Sequence, residues 1–140
     1  MFIERLELHN FGPFAGRHII DMSRATVTRP IVLVGGENGA GKTTILDALL
    51  LALYGKMAGC SKRGSLGYPE FLERSIHQGR LGSDEAGVKV IFRRSTAQRS
   101  SRFSVHRTWH RTPKAVAESL QVKVDGQLSG EHSERWLEAM

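Results

Sequence analysis

The chain is poor in the features that mark several large protein classes. It has one cysteine, Cys60, so no disulfide framework can form within it, and stapled secreted scaffolds are excluded. Its longest apolar run, Ala48 to Tyr54, falls far short of the roughly 20 residues needed to cross a bilayer. The opening MFIERLELHNF alternates charged and apolar residues and lacks the apolar block of a signal peptide. A cytoplasmic protein with no membrane association is expected.

Acid is also missing from one long stretch. No Asp or Glu lies between Glu85 and Glu118, whereas Lys89, Arg93, Arg94, Arg99, Arg102, Arg107, Arg111 and Lys114 all do. The net charge of +6 over 140 residues is therefore concentrated in the middle third. Such one-sidedness is the footprint of a polyanionic partner. A solvated face, or one that meets acids of the same protein, would read the same way.

Periodicity divides the chain into elements. Residues 2–9 alternate with period two and predict a strand; Asn10-Phe11-Gly12-Pro13 predicts a turn and His18 to Met22 a second strand, together a hairpin. Ile31-Val32-Leu33-Val34, four consecutive aliphatics, predict a strand buried on both faces of a mixed or parallel sheet. Lys42 to Tyr54 predicts a helix whose density of Ile and Leu requires cover over most of its circumference. A mobile glycine-rich loop over 56–67 and a helix over Tyr68 to His77 follow, the latter with Pro69 in its first turn and Leu72 and Ile76 stacked. After a loop over Gly79 to Gly87, period-two patterns return over about 88–129, with Asp125-Gly126 as a hairpin turn. An outgoing helix is expected to begin over 131–140, anchored by Trp136 and Leu137.

The chemistry lies between the first aliphatic run and the first helix. Gly36-Glu37-Asn38-Gly39-Ala40-Gly41-Lys42-Thr43 matches the phosphate-loop pattern G-x-x-x-x-G-K-[ST]. Gly36, Gly39 and Gly41 allow positive φ and close approach of the backbone to a ligand. N–H groups of the loop, Asn38 and Ala40 included, then converge on phosphate at the helix N-terminus. Lys42 brings a full charge to the β- and γ-phosphates and is the catalytic candidate. The Thr43 hydroxyl can ligate Mg²⁺, and Thr44 is placed toward the α-phosphate. ATP and Mg²⁺ are the implied cofactors.

Hydrolysis also needs an acid at the end of an apolar strand and a group that positions water. Asp125, in a hairpin turn, is a poor candidate for that acid. His106 and His110 lack further metal ligands nearby in sequence, and no nucleophile-elbow signature supports a Ser-His-Asp triad. Trp109, Phe103 and Phe92 could stack on bases, but core packing is their expected role.

Residues in this order resemble the N-terminal lobe of an SMC/SbcC-type ATPase head, a branch of the ABC ATPases. The likeness rests on Leu6-x-Leu8-x-Asn10-Phe11 with Phe14, on Asn38 to Thr43, on Ile45-Leu46-Asp47-Ala48 and on Ala52-Leu53-Tyr54-Gly55. Pro30-Ile31-Val32-Leu33, Gly35-Gly36, Ser61-Lys62-Arg63-Gly64 and Tyr68-x-x-Phe71-Leu72 resemble more closely the DndD family, the ATPases of DNA sulfur modification (phosphorothioation). The resemblance implies an α/β P-loop NTPase half-head over residues 1–140, with a mixed β-sheet around the phosphate-loop helix and an antiparallel meander. It implies a coiled coil and a C-terminal half of the same head beyond the chain, the latter supplying the signature motif and catalytic carboxylates. The further implied partners are a second head in a homodimer, DNA, and other DNA sulfur-modification proteins. Gly12 stands where many relatives carry a basic residue. Arg63 stands near where some heads direct an arginine at nucleotide or DNA. An SbcC-type repair ATPase paired with a nuclease, and a non-catalytic basic DNA-binding module, are the alternatives.

Overall fold

The computed structural model describes residues 1–26, 28–79, 84–134 and 136. Of the outgoing helix expected over 131–140, residues 131–134 and the anchor Trp136, which is buried, are described, whereas Leu137 and the others lie outside the described residues. Among the described residues six strands form one sheet: β1 (Phe2–Phe11), β2 (Phe14–Asp21), β3 (Glu85–Ser95), β4 (Ser100–Arg111), β5 (Val116–Val124) and β6 (Gln127–Leu128). Their order is β2-β1-β3-β4-β5-β6 and every pairing is antiparallel. Three α-helices accompany it: α1 (Lys42–Tyr54), α2 (Tyr68–Ser75) and the short α3 (Gly130–Glu134).

Alternation determines which face of the sheet is buried. Leu6 and Leu8 on β1, Val88, Val90 and Phe92 on β3, Val105 and Trp109 on β4, and Val122 on β5 are buried on one face. There α1 crosses β3, β4 and β1, while α2 lies on β4 and β5. The other face carries Arg5, Glu7 and His9, then Lys89 and Arg93, then Arg102 and His106, in register. Trp109 donates its indole N–H to Leu72 O at 2.9 Å and meets Phe11 edge-on at 5.8 Å, so the core tryptophan also ties α2 to the sheet. Phe92 stacks on Phe103 at 5.2 Å within the same core, the role expected of these aromatics.

α1 and the Asp125-Gly126 turn match expectation, both turn residues having positive φ, 51° and 89°; the hairpin forms as well, but its second strand is Phe14–Asp21 instead of His18 to Met22. Three further expectations are corrected. Helix α2 stops at Ser75, not His77, because the next residues pair with the end of β1: Gly12 N–H reaches Ser75 O and His77 N–H reaches Asn10 O, each at 2.7 Å. The predicted mixed sheet does not form among the described residues. Ile31-Val32-Leu33-Val34 has no strand partner there and is 79, 43, 91 and 44% exposed. A strand needs a neighbour for its N–H and C=O groups, and every described strand lies in the antiparallel sheet. The cover expected for α1 is likewise incomplete: Leu46 is 53% and Tyr54 39% exposed.

Candidate functional site

The glycine-rich loop runs from this uncovered aliphatic segment into α1. Gly39 and Gly41 adopt φ of 87° and 91°, a region that disfavours any side chain. Gly36 does not adopt positive φ, contrary to expectation. It is instead crowded, because a Cβ there would stand 3.3 Å from Ala40 Cβ. Gly41 is restricted twice over, since a Cβ would also come within 2.7 Å of the Phe14 ring. The tip of the β1–β2 hairpin thus supports the loop from below, a contact that local sequence reading missed.

Gly12, in that same tip, has φ of 56° and faces Thr44, whose Cγ2 would lie 3.0 Å from an added Cβ. Gly12 therefore brings the hairpin against the phosphate-loop helix. Asn10, at φ 45°, marks a bulge in β1 and accepts the Gly16 N–H at 2.8 Å. The Asn10-Phe11 pair accordingly has a physical role: Asn10 shapes the hairpin and Phe11 anchors it on Trp109.

Lys42 begins α1. Its ammonium folds back over the loop and donates to Gly36 O and Glu37 O, at 2.6 and 2.7 Å. It has no carboxylate partner among the described residues. Thr43 is exposed, whereas Thr44 is 4% exposed. Lys42, Thr43 and Thr44 line a cavity of about 280 Å³ with Pro13, Asn38, Gly39, Gly41 and Lys62. Of the predicted site residues, only Gly36 and Ala40 are not in that lining; they shape the loop behind it. The cavity has no acidic residue in its lining and carries two lysines, a donor set suited to polyphosphate. ATP with Mg²⁺ fits these residues. Lys42 and the loop would hold phosphate and Thr43 would contribute one oxygen to the metal; the remaining acid is not in the lining. Asp125 is engaged elsewhere, accepting from Arg102 N–H at 2.8 Å and pairing with Arg99 at 3.0 Å.

The loop over 56–67, expected to be mobile, is pinned instead. Asp47, 2% exposed on α1, accepts from Ser61 N–H at 2.8 Å and Ser61 Oγ at 3.0 Å. Cys60 donates its thiol to Asp47 O at 3.5 Å; burial, and then the Asp47 charge, push that thiol up to about 11. Arg63 does not point at the phosphate loop. It donates to Lys56 O and Leu66 O and lies 5.5 Å from the Tyr68 ring centre, closing its own loop.

The basic stretch also looks different once folded. Arg93 and Arg102 both bind Glu4, at 3.0 and 2.7 Å. Lys89 stands 3.7 Å from Glu7, and Arg111 stands 3.8 Å from both Glu73 and Asp84. Arg107 is buried, paired with Glu118, and donates to Leu51 O at 3.0 Å, so it caps the end of α1. The acid missing from this stretch of sequence is supplied by other segments. His106 faces Lys89 across the β3–β4 pair, and burial, then Lys89, lower its pKa.

A glycine-rich loop ending in Lys-Thr-Thr at the head of a long helix defines a P-loop NTPase domain. The chain belongs to the AAA domain family, which matches residues 5–135. It is 54% identical over 55 residues to the SbcC component of the nuclease SbcCD from Treponema pallidum, 39% of this chain and 5% of that protein. It is 47% identical over 60 residues to the same component from Vibrio cholerae, 43% of this chain and 6% of that protein. These similarities support an SMC/SbcC-type ATPase N-terminal region. The chain spans about one twentieth of the curated relatives it matches. Among the described residues, no helix is long and apolar enough to cross a membrane.

Proposed function

We propose that the chain is the ATP-binding lobe of an SMC-like ATPase head that acts on DNA, with hydrolysis dependent on a C-terminal half of the same head and a second copy. The observation that carries this reading is the uncovered apolar surface beside the phosphate loop. Residues 31–34 lead directly into the loop, and Leu46 follows it on α1, all at least 43% exposed. An unpaired aliphatic segment of this kind is a template for added strands. A C-terminal lobe would cover it and could bring the carboxylates that the cavity lining lacks.

Lys42 is the residue that separates nucleotide binding from a merely glycine-rich turn. Calorimetry with MgATP should show affinity falling at least tenfold in Lys42→Ala, consistent with loss of a charge-assisted phosphate contact, with the melting temperature unchanged. Equal affinity in the variant would sink the proposal.

The two DNA systems rest on different residues. The identity to SbcC components favours a repair ATPase partnered with a nuclease. DNA phosphorothioate modification rests on the likeness of Gly35-Gly36 and Ser61-Lys62-Arg63-Gly64 to DndD. A sulfurtransferase gene beside this one supports the second system, and a nuclease gene the first. A stand-alone basic DNA-binding module is disfavoured by the ion pairs that Lys89, Arg93, Arg102 and Arg107 make within the chain.

A further inference from the structure

Lys62 combines nearness to the phosphate loop with an uncommitted charge. It is remote from that loop in sequence, yet it lines the same cavity as Lys42, Thr43 and Thr44. It also lines an adjoining cavity of about 250 Å³ with Thr44, Asp47 and Arg74, so it stands on the wall between the two. Its ammonium has no hydrogen-bond or ion-pair partner among the described residues. The neighbouring Arg63 does have partners, and they hold it away from the loop.

Position on an exposed loop would mean little if the loop were free, but it is not. The Asp47 carboxylate takes both the backbone N–H and the hydroxyl of Ser61, the residue before Lys62. Asp47 lies one helical turn beyond Thr43 and Thr44 on α1. The helix that carries the phosphate-binding residues therefore also fixes the loop that carries Lys62. A buried carboxylate accepting two hydrogen bonds is a strong and geometrically specific clamp.

We infer that Lys62 is a second cation for the nucleotide phosphates and that Asp47 is the positioning residue that presents it. This rests on the nucleotide-binding reading of the site. The cavity is lined by these two lysines and by no acid, so a bound polyphosphate would join the two ammonium groups across one ligand.

The test is calorimetry of MgATP binding to the 140-residue chain, with Lys42→Ala as reference. Lys62→Ala should weaken ATP about tenfold, as expected for one charge-assisted contact. It should also flatten the salt dependence and leave the melting temperature unchanged; Lys62→Arg should restore most of the affinity. Asp47→Asn should weaken ATP as well, and the double variant should be no worse than Lys62→Ala, because the two act in series. ATP binding by Lys62→Ala equal to wild type, with Lys42→Ala defective, would overturn the inference and leave the nucleotide site standing. Failure of the wild-type chain to bind ATP would overturn both.

Discussion

Two groups of aliphatic residues reach opposite states in this chain. Val88, Val90, Val105 and Val122 have no exposed surface, whereas Ile31, Val32, Leu33 and Val34 are 43 to 91% exposed. All are aliphatic and suited to strands. The difference is hydrogen-bond partnership. The first group sits in ladders closed by neighbours a hairpin away in sequence; the second has no such neighbour among the described residues. The antiparallel sheet packs with α1 and α2, and the phosphate loop lies between that packed helix and an uncovered aliphatic segment.

That contrast can be tested first where the effect is largest. Trp109→Ala should cost about 3–5 kcal/mol, the range for deleting a buried aromatic, read by chemical denaturation; a loss below ~1 kcal/mol would mean the scaffold core is not where the structure places it. The acid limb of stability should give an intermediate effect. Burial raises the Glu7 pKa, but the Arg17 hydrogen bond and the charges of Lys89, Arg17 and Arg5 outweigh it, leaving a net depression below 4.5. A carboxylate depressed on folding stabilises the protein above its unfolded pKa, and that contribution disappears as pH falls through the folded value. Glu7→Gln should therefore flatten the loss of stability below pH 4.5; unchanged curves would show that the cluster has no net effect. The smallest effect belongs to the uncovered aliphatic segment. Leu33→Asp should shift the stability of the isolated lobe by no more than about 0.5 kcal/mol, as for other exposed positions. It should nevertheless abolish association with a separately expressed C-terminal half. Destabilisation of the lobe itself would show that residues 31–34 are already packed.

Much of the scaffold was legible because its signals are local. Period-two alternation marked β1, β3, β4 and β5, the Asp125-Gly126 pair marked a turn, and the run from Lys42 to Tyr54 ended where Gly55 takes φ 53°. The phosphate loop was legible from spacing alone. The fate of the basic stretch was not, because Glu4, Glu7, Glu73 and Asp84 lie outside it in sequence and meet it only through the sheet. Nor could sequence distance show that Asp47 would clamp Ser61.

The order of residues by itself determined the phosphate-loop motif, the helix that follows it and the alternating strands, since these depend on φ preference, side-chain period and spacing along one segment. Tertiary structure alone decided that Phe14 underlies Gly41, that Arg107 is a buried cap and that Lys62 lines the same cavity as Lys42. It also decided that the aliphatic run before the loop stays open. Each of these depends on which distant groups come within a few ångströms, and burial, ion pairing and hydrogen bonding act over that distance and not along the chain.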